Sequence, residues 1–234
     1  MHRPTHRRAV CFTLLLSASL LFTGCAKDPS QDAPKAEVGE VKTAAKKAAP
    51  EATDTKATPK AAAPAASGAI TLTGDIGFVG SKVTGSHIGT FRKWTGKMTP
   101  GATLEASRLE FDVQVDSVFT DPDTRGAWNA KLDRHLVSED FFFAAKFPKA
   151  TFVSQKIVAG GTDGATHTLT GDLTMRGVTR SVTFPATMAL TPKAFSANAE
   201  FTIDRTQWGI VYKGKADNLV RNGVVMKIKL EGTR

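Results

Sequence analysis

Three histidines and no cysteine are what residues 70–234 offer to a metal ion or a nucleophile. His87, His135 and His167 are widely spaced, and none belongs to an H-E-x-x-H pattern that would set two imidazoles on one helix face. Without a thiol there is no thiolate chemistry and no cysteine-based zinc site. No G-x-S-x-G elbow presents a serine. Gly160-Gly161-Thr162-Asp163-Gly164 lacks the Lys and Ser or Thr that follow in a phosphate loop, and it reads as a hairpin loop. Asp121-Pro122-Asp123 and Asp204-Arg205 read as turns and surface pairs. His135, beside Asp133 and Glu139, is the one place where carboxylates could bring an imidazole into titration near neutrality. This inventory points away from catalysis, and no cofactor is expected.

The remaining reactive side chain is Cys25. His2, Arg3, His6, Arg7 and Arg8 give a positive start, Ala9 to Phe22 is apolar, and Thr23-Gly24 precede the cysteine. That is the layout of an export leader. The run is about 14 residues, where a spanning helix needs about 20. The pattern looks like a bacterial lipoprotein signal, with residues 1–24 removed and Cys25 lipidated as the first mature residue. Ala26, rather than Asp, follows the cysteine and is compatible with sorting to an outer membrane. The expected location is the bacterial envelope, anchored by lipid, with the folded body in the periplasm. Cys11 lies in the leader, so no disulfide is expected and the body must be held by its own core.

Residues 25–69 are rich in Ala, Lys, Pro and Thr, and Val38 and Val41 are the only apolar side chains there larger than Ala, apart from the cysteine. Five prolines interrupt the helix that the alanines favour. Such a stretch reads as a disordered, solvated tether. Residues 70–234 are long enough for one sizeable core. They carry 21 Lys plus Arg against 16 Asp plus Glu, spread rather than striped. Nucleic-acid binding wants a focused basic face, so no nucleic-acid partner is expected.

The body reads as strands. Leu109, Phe111, Val113 and Val115 alternate with Glu110, Asp112, Gln114 and Asp116, the pattern of a half-buried antiparallel strand. Leu169, Gly171 and Leu173 share a face; so do Val182, Phe184, Ala186, Met188 and Leu190, with Pro185 marking an edge or bulge. Phe195 to Ile203 and Val224 to Leu230 repeat the alternation. Arg176-Gly177 reads as a turn. The glycine-laced first third predicts strands at 70–76, 78–83 and 90–98. One helix is expected over 127–142, with Trp128, Leu132 and Leu136 on its apolar face. Together these predict an all-β fold with one short helix, a barrel or a sandwich, with the glycine bends favouring a curved, closed sheet of about eight strands.

Several stretches carry a resemblance. His135-Leu136-Val137-Ser138-Glu139-Asp140-Phe141-Phe142, Lys146-Phe147-Pro148-Lys149-Ala150-Thr151-Phe152, and Leu169 to Thr179 resemble, in order, segments of the YceI-like family of polyisoprenoid-binding domains. Phe201-Thr202-Ile203-Asp204-Arg205 with Trp208-Gly209, and Gly89 to Gly96, resemble further family elements. The third phenylalanine, Phe143, stands where the family usually has a polar residue. The resemblance implies a lipocalin-like antiparallel β-barrel with an apolar cavity closed on one side by the helix. It also implies a long isoprenoid ligand, such as a polyprenyl quinone or polyprenyl phosphate.

Burying such a chain gains about 0.8 kcal/mol per CH₂, or roughly 6 kcal/mol for eight groups before ordering costs. The candidate cavity walls are Phe78, Phe91, Trp94, Phe111, Phe119, Phe142, Phe152, Phe184, Met188, Phe201 and Trp208. Alternation alone does not separate lining from ordinary core packing. Arg92, Lys93 and Arg176 are the candidates to meet a headgroup oxygen. The competing reading is a structural or stress-related envelope lipoprotein whose barrel interior is filled by side chains. The oligomeric state stays open, a homodimer included.

Overall fold

The computed structural model describes residues 26–41 and 68–233. The leader, Cys25 and residues 42–67 lie outside the described residues. The strands are β1 (Glu37–Gly39), β2 (Ile70–Thr71), β3 (Thr73–Lys82), β4 (Gly85–Phe91), β5 (Trp94–Thr99), β6 (Arg108–Gln114) and β7 (Val118–Thr120). They are followed by the helix α1 (Asn129–Val137) and by β8 (Lys149–Ala159), β9 (His167–Met175), β10 (Val178–Leu190) and β11 (Ala194–Asp204). A short β12 (Gly214–Lys215) and β13 (Asn218–Leu219) form a hairpin of their own before β14 (Gly223–Thr233).

Twelve strands form one antiparallel sheet in the order β2-β5-β6-β8-β9-β10-β11-β14-β3-β4-β7, with β1 added against β10. The sheet curls so that the faces of β3, β4, β6, β8, β9, β10, β11 and β14 look onto a common interior. The expected closed barrel of about eight strands is therefore corrected to a curled sheet of more strands, whose hydrogen-bonded path has two ends. Side-chain alternation reports which face is inward; it carries no information on whether the last strand meets the first.

The sheet is split on one side. β10 pairs with β9 over Val178–Ala186 but with β11 only over Thr187–Leu190. Pro185 falls in the span that has left β11, which is why a strand proline is tolerated there. The seam is filled by the chain that precedes the body. Ser30 is buried, and its carbonyl accepts from Thr202 Oγ1 at 3.1 Å. Pro34 O accepts from Thr202 N at 2.7 Å, and Ala36 N donates to Thr202 O at 2.8 Å. β1 then pairs with Thr183, Val182 and Ser181. The expectation of a solvated tether thus differs from the structure over 26–41. Strand addition to an open edge draws on main-chain bonds and needs few apolar side chains. Ala36 and Val38 suffice, both packing on the core.

Two further boundaries shift. Thr73–Lys82 is one strand running through Gly74, Gly77 and Gly80, rather than two pieces. α1 stops at Val137, because Ser138 turns its hydroxyl back onto His135 O at 2.7 Å and adopts an extended backbone. The 138–147 segment winds through turns in which Phe143 takes a positive φ and packs edge-on against Phe147. The turn at Arg176-Gly177 joins β9 and β10 with both residues at positive φ. A side chain at Gly177 would also meet the Phe147 ring at 2.7 Å.

Candidate functional site

The curled sheet encloses a cavity of about 360 Å³, within the range of small-molecule sites. Its floor is an aromatic belt that crosses neighbouring strands. Phe111 and Phe152 stack at 5.0 Å, Phe152 meets Phe184 at 5.9 Å, and Phe184 stacks on Phe201 at 3.9 Å. β9 lies between Phe152 and Phe184 and presents Gly171 there. A Cβ at that position would sit 2.3 Å from the Phe152 ring, so only glycine lets the ring lean across. The same device recurs opposite, where the Phe78 ring covers Gly89. Phe78, Phe91 and Phe142 form a second cluster, with centroids 5.6 to 6.2 Å apart, joining β3 and β4 to the segment after α1.

The mouth is built from different residues. His135 meets Phe141 and Tyr212 in T-shaped contacts and Phe141 tilts against Tyr212, with centroids 4.8 to 5.3 Å apart. His87 stacks on Trp128 at 5.6 Å, and its Nδ1 lies 2.7 Å from Asp121 Oδ2. Burial pushes the Asp121 carboxyl up, but the hydrogen bonds from His87, Ile88 N and Asn129 outweigh it and hold it below the usual carboxylate value. Ile88, Trp128, Val211 and Leu219 are exposed large apolar side chains, and each lines the cavity or adjoins a lining residue.

Arg205 is buried beside the cavity. It donates from Nε to Arg221 O at 3.0 Å, from Nη1 to Ile210 O at 2.6 Å, and from Nη2 to Tyr212 O at 2.7 Å and Val220 O at 3.2 Å. Its pKa is lowered by burial, with Asp204 opposing the shift. The guanidinium therefore organises the 210–221 rim by satisfying its carbonyls.

Seven of the eleven expected wall residues line the cavity: Phe78, Phe91, Phe111, Phe142, Phe152, Phe184 and Phe201. The other four lie outside the lining. Trp94 lies against Gly96. Phe119 is held between the guanidinium groups of Arg92 and Arg125, at 3.1 and 3.8 Å from its ring centre. Met188 is buried in core packing, and fully buried Trp208 donates its indole N–H to Leu173 O at 3.1 Å. Alternation assigned their faces but not their depth along the sheet. The expected headgroup cations also lie elsewhere. Arg92 covers Phe119, Arg176 donates to Glu139 O at 2.8 Å, and neither they nor Lys93 line the cavity. His135 pairs with Asp140 at 2.9 Å, whereas Asp133 binds Thr120 and Arg125.

Sequence reasoning missed Tyr212, Ser81, Lys82, Lys215 and Arg221 as lining residues. They sit at strand ends and in short hairpins, where no periodicity marks an inward face. Among the described residues no cluster of three His, Cys, Asp or Glu could hold a metal ion. No helix among them is long and apolar enough to cross a membrane.

Curled sheet, aromatic interior and open mouth define a β protein built around an apolar cavity. Residues 49–232 match the YceI-like domain, and the chain belongs to that family. It is 33% identical to a UPF0312 protein of Pseudomonas fluorescens (strain SBW25) over 153 residues, covering 62% of this chain and 73% of that protein. It spans 57% of the length of UPF0312 proteins from other pseudomonads. Among solved structures, Burkholderia cenocepacia BcnA aligns with a TM-score of 0.56 at 22% identity, covering 67% of this chain and 94% of that one. A polyisoprenoid binding domain from Saccharophagus degradans, implicated in plant cell wall breakdown, aligns with a TM-score of 0.52 at 13% identity, covering 70% and 97%. These two likenesses concern the fold.

Proposed function

We propose that the protein reversibly binds a long-chain isoprenoid lipid, a polyprenyl quinone or polyprenyl phosphate, as a non-catalytic carrier or sensor in the bacterial envelope. The observation that carries this reading is the aromatic belt around an open cavity, where side-chain packing leaves about 360 Å³ unfilled. Removing a hydrocarbon chain from water is the driving force, and flat rings accept it without competing polar groups. The fold shared with a polyisoprenoid binding domain supports the ligand class. Seven phenylalanines, from Phe78 to Phe201, form the walls in this reading. Cys25 carries the lipid anchor, and the outer membrane is its destination.

The test is direct. Organic extraction of protein purified from its envelope should release a stoichiometric prenyl lipid, identified by mass spectrometry. Repeated absence of bound or exchangeable lipid would move the reading to an envelope scaffold. Mass spectrometry of the mature N-terminus tests the anchor, and an unacylated Cys25 would defeat that part.

A further inference from the structure

The apolar side chains that the fold leaves in water are not scattered. Among the described residues the large exposed ones are Ile88, Trp128, Val158, Val211 and Leu219. Three of them frame the cavity mouth: Trp128, Val211 and Leu219, at 55%, 62% and 47% exposure. Trp128 lines the opening. Val211 and Leu219 are the non-lining members of the runs 210–212 and 218–220, so both turn away from the cavity onto the outer rim. The segments that carry them are joined. Val83 N donates to Leu219 O at 3.1 Å, Thr84 Oγ1 to Asn218 Oδ1 at 3.0 Å, and Val220 N to Lys213 O at 2.9 Å. The ring contacts of His87 with Trp128 and of His135 with Tyr212 tie α1 to the same rim.

The rim is also basic. Over 82–88 and 210–220, Lys82, Lys213 and Lys215 stand against one carboxylate, Asp217. None of these lysines has a carboxylate within ion-pair distance among the described residues. The 121–135 side is balanced, with Asp121, Asp123 and Asp133 against Arg125, Lys131 and Arg134. Exposed apolar side chains grouped at one place mark an interaction surface. A tryptophan and aliphatic side chains set among unpaired lysines match the boundary layer of an anionic bilayer, where apolar atoms enter and ammonium groups meet phosphates. The course of the chain favours that occupant. Ala26 N donates to Val83 O at 3.3 Å, so the residue next to Cys25 is held on this rim.

We propose that the cavity rim is a membrane-docking surface. Trp128, Val211 and Leu219 enter the interfacial layer of an anionic bilayer, and Lys82, Lys213 and Lys215 meet its phosphates. The contact belongs to the folded protein itself. It requires neither an acyl chain at residue 25 nor a ligand in the cavity, and it sets the opening against the lipid.

The experiment uses the chain from residue 25 onward, which holds every described residue, with Cys25→Ser to remove the attachment point proposed for an anchor. Flotation is measured with vesicles of phosphatidylcholine and with vesicles of equal parts phosphatidylcholine and phosphatidylglycerol. The protein should float with the anionic vesicles and lose that binding as salt is raised. Lys213→Gln with Lys215→Gln should weaken binding by on the order of tenfold. Lys227→Gln with Lys229→Gln removes the same charge from the outer face of β14, where both lysines pair with glutamates, and should leave binding unchanged. An equal loss in both pairs would reveal attraction by net charge alone and overturn the proposal. Val211→Ser with Leu219→Ser should weaken binding several-fold. These two side chains turn away from the cavity, so their effect separates docking from uptake of a lipid, and unchanged binding in this variant overturns the proposal. All six substituted positions outside residue 25 are exposed or half-exposed, and thermal unfolding checks that the fold is kept. Absence of binding to anionic vesicles also overturns docking, while leaving the ligand proposed for the cavity untouched.

Discussion

The floor and the mouth of the cavity are held by opposite forces. The floor rests on burial and ring stacking among Phe111, Phe152, Phe184 and Phe201, carried by long strands. The mouth is braced by hydrogen bonds among Asp121, His87, Asn129, Arg205 and Arg221, on short elements and turns. Non-directional packing tolerates a sliding hydrocarbon chain. Directional bonds fix where a polar group can sit. The contrast suits a ligand with one greasy end and one polar end, and each half of it can be broken separately.

The largest effect is expected at the floor. Phe184→Asp places a charge among stacked rings with no partner and should abolish lipid retention in native mass spectrometry. Phe184→Ala should lower unfolding stability by about 3–5 kcal/mol and still leave a protein whose residual retention can be measured. Unchanged retention in Phe184→Ala would break the assignment of the belt as the lipid wall.

At the mouth, Arg205→Met should lower stability by about 3 kcal/mol in urea unfolding, because several carbonyls lose their donor at once. Hydrogen exchange should accelerate over 210–221 while the floor strands stay protected. Uniform acceleration would show that the two ends are not independent.

Acid should act on the mouth before the floor. The Asp121 and Asp28 carboxyls both sit below their usual values. Burial raises each, and hydrogen bonds outweigh it, from His87 and Ile88 N to Asp121 and from Ser30 to Asp28, where the Arg221 charge adds to the effect. A depressed folded-state pKa contributes stability that is fully present above the unfolded value, near 3.9, and is lost as pH falls through the folded value. Asp121→Asn should therefore cost about 1–2 kcal/mol at neutral pH and flatten the acid limb of a thermal-stability profile. An acid limb identical to wild type would count against the rim network.

The smallest effect belongs to the wet face. Lys229 pairs with Glu231 at 3.4 Å with both side chains well exposed, so Lys229→Ala should change stability by no more than about 0.5 kcal/mol and leave lipid retention intact.

The same contrast decides what could be read from the sequence. Phe111, Phe184 and Phe201 lie on strands whose alternation marks an inner face, and they line the cavity. Met188 shares the face of Phe184 yet lies beyond the cavity, because period two gives side but not depth. Ser81 and Arg221 are 140 positions apart in the chain and meet only through strand pairing that no local pattern announces. Strand existence was legible and sheet closure was not, since the break between β10 and β11 depends on register. The ordered stretch at 26–41 was hidden for a related reason. Its hold on the sheet comes largely from main-chain groups, which every residue except proline carries in full.

That stretch bears on the anchor proposed at Cys25. A free chain from 26 to 69 would let the body wander about 35–40 Å from its attachment point. Instead, Ala26 N donates to Val83 O at 3.3 Å, and Arg221 Nη2 donates to Ala26 O at 2.9 Å, both beside the cavity mouth. One residue of slack amounts to about 3.5 Å. An anchor at Cys25, as proposed, would then act through a short hinge rather than a long leash and would hold the cavity mouth near the point of attachment.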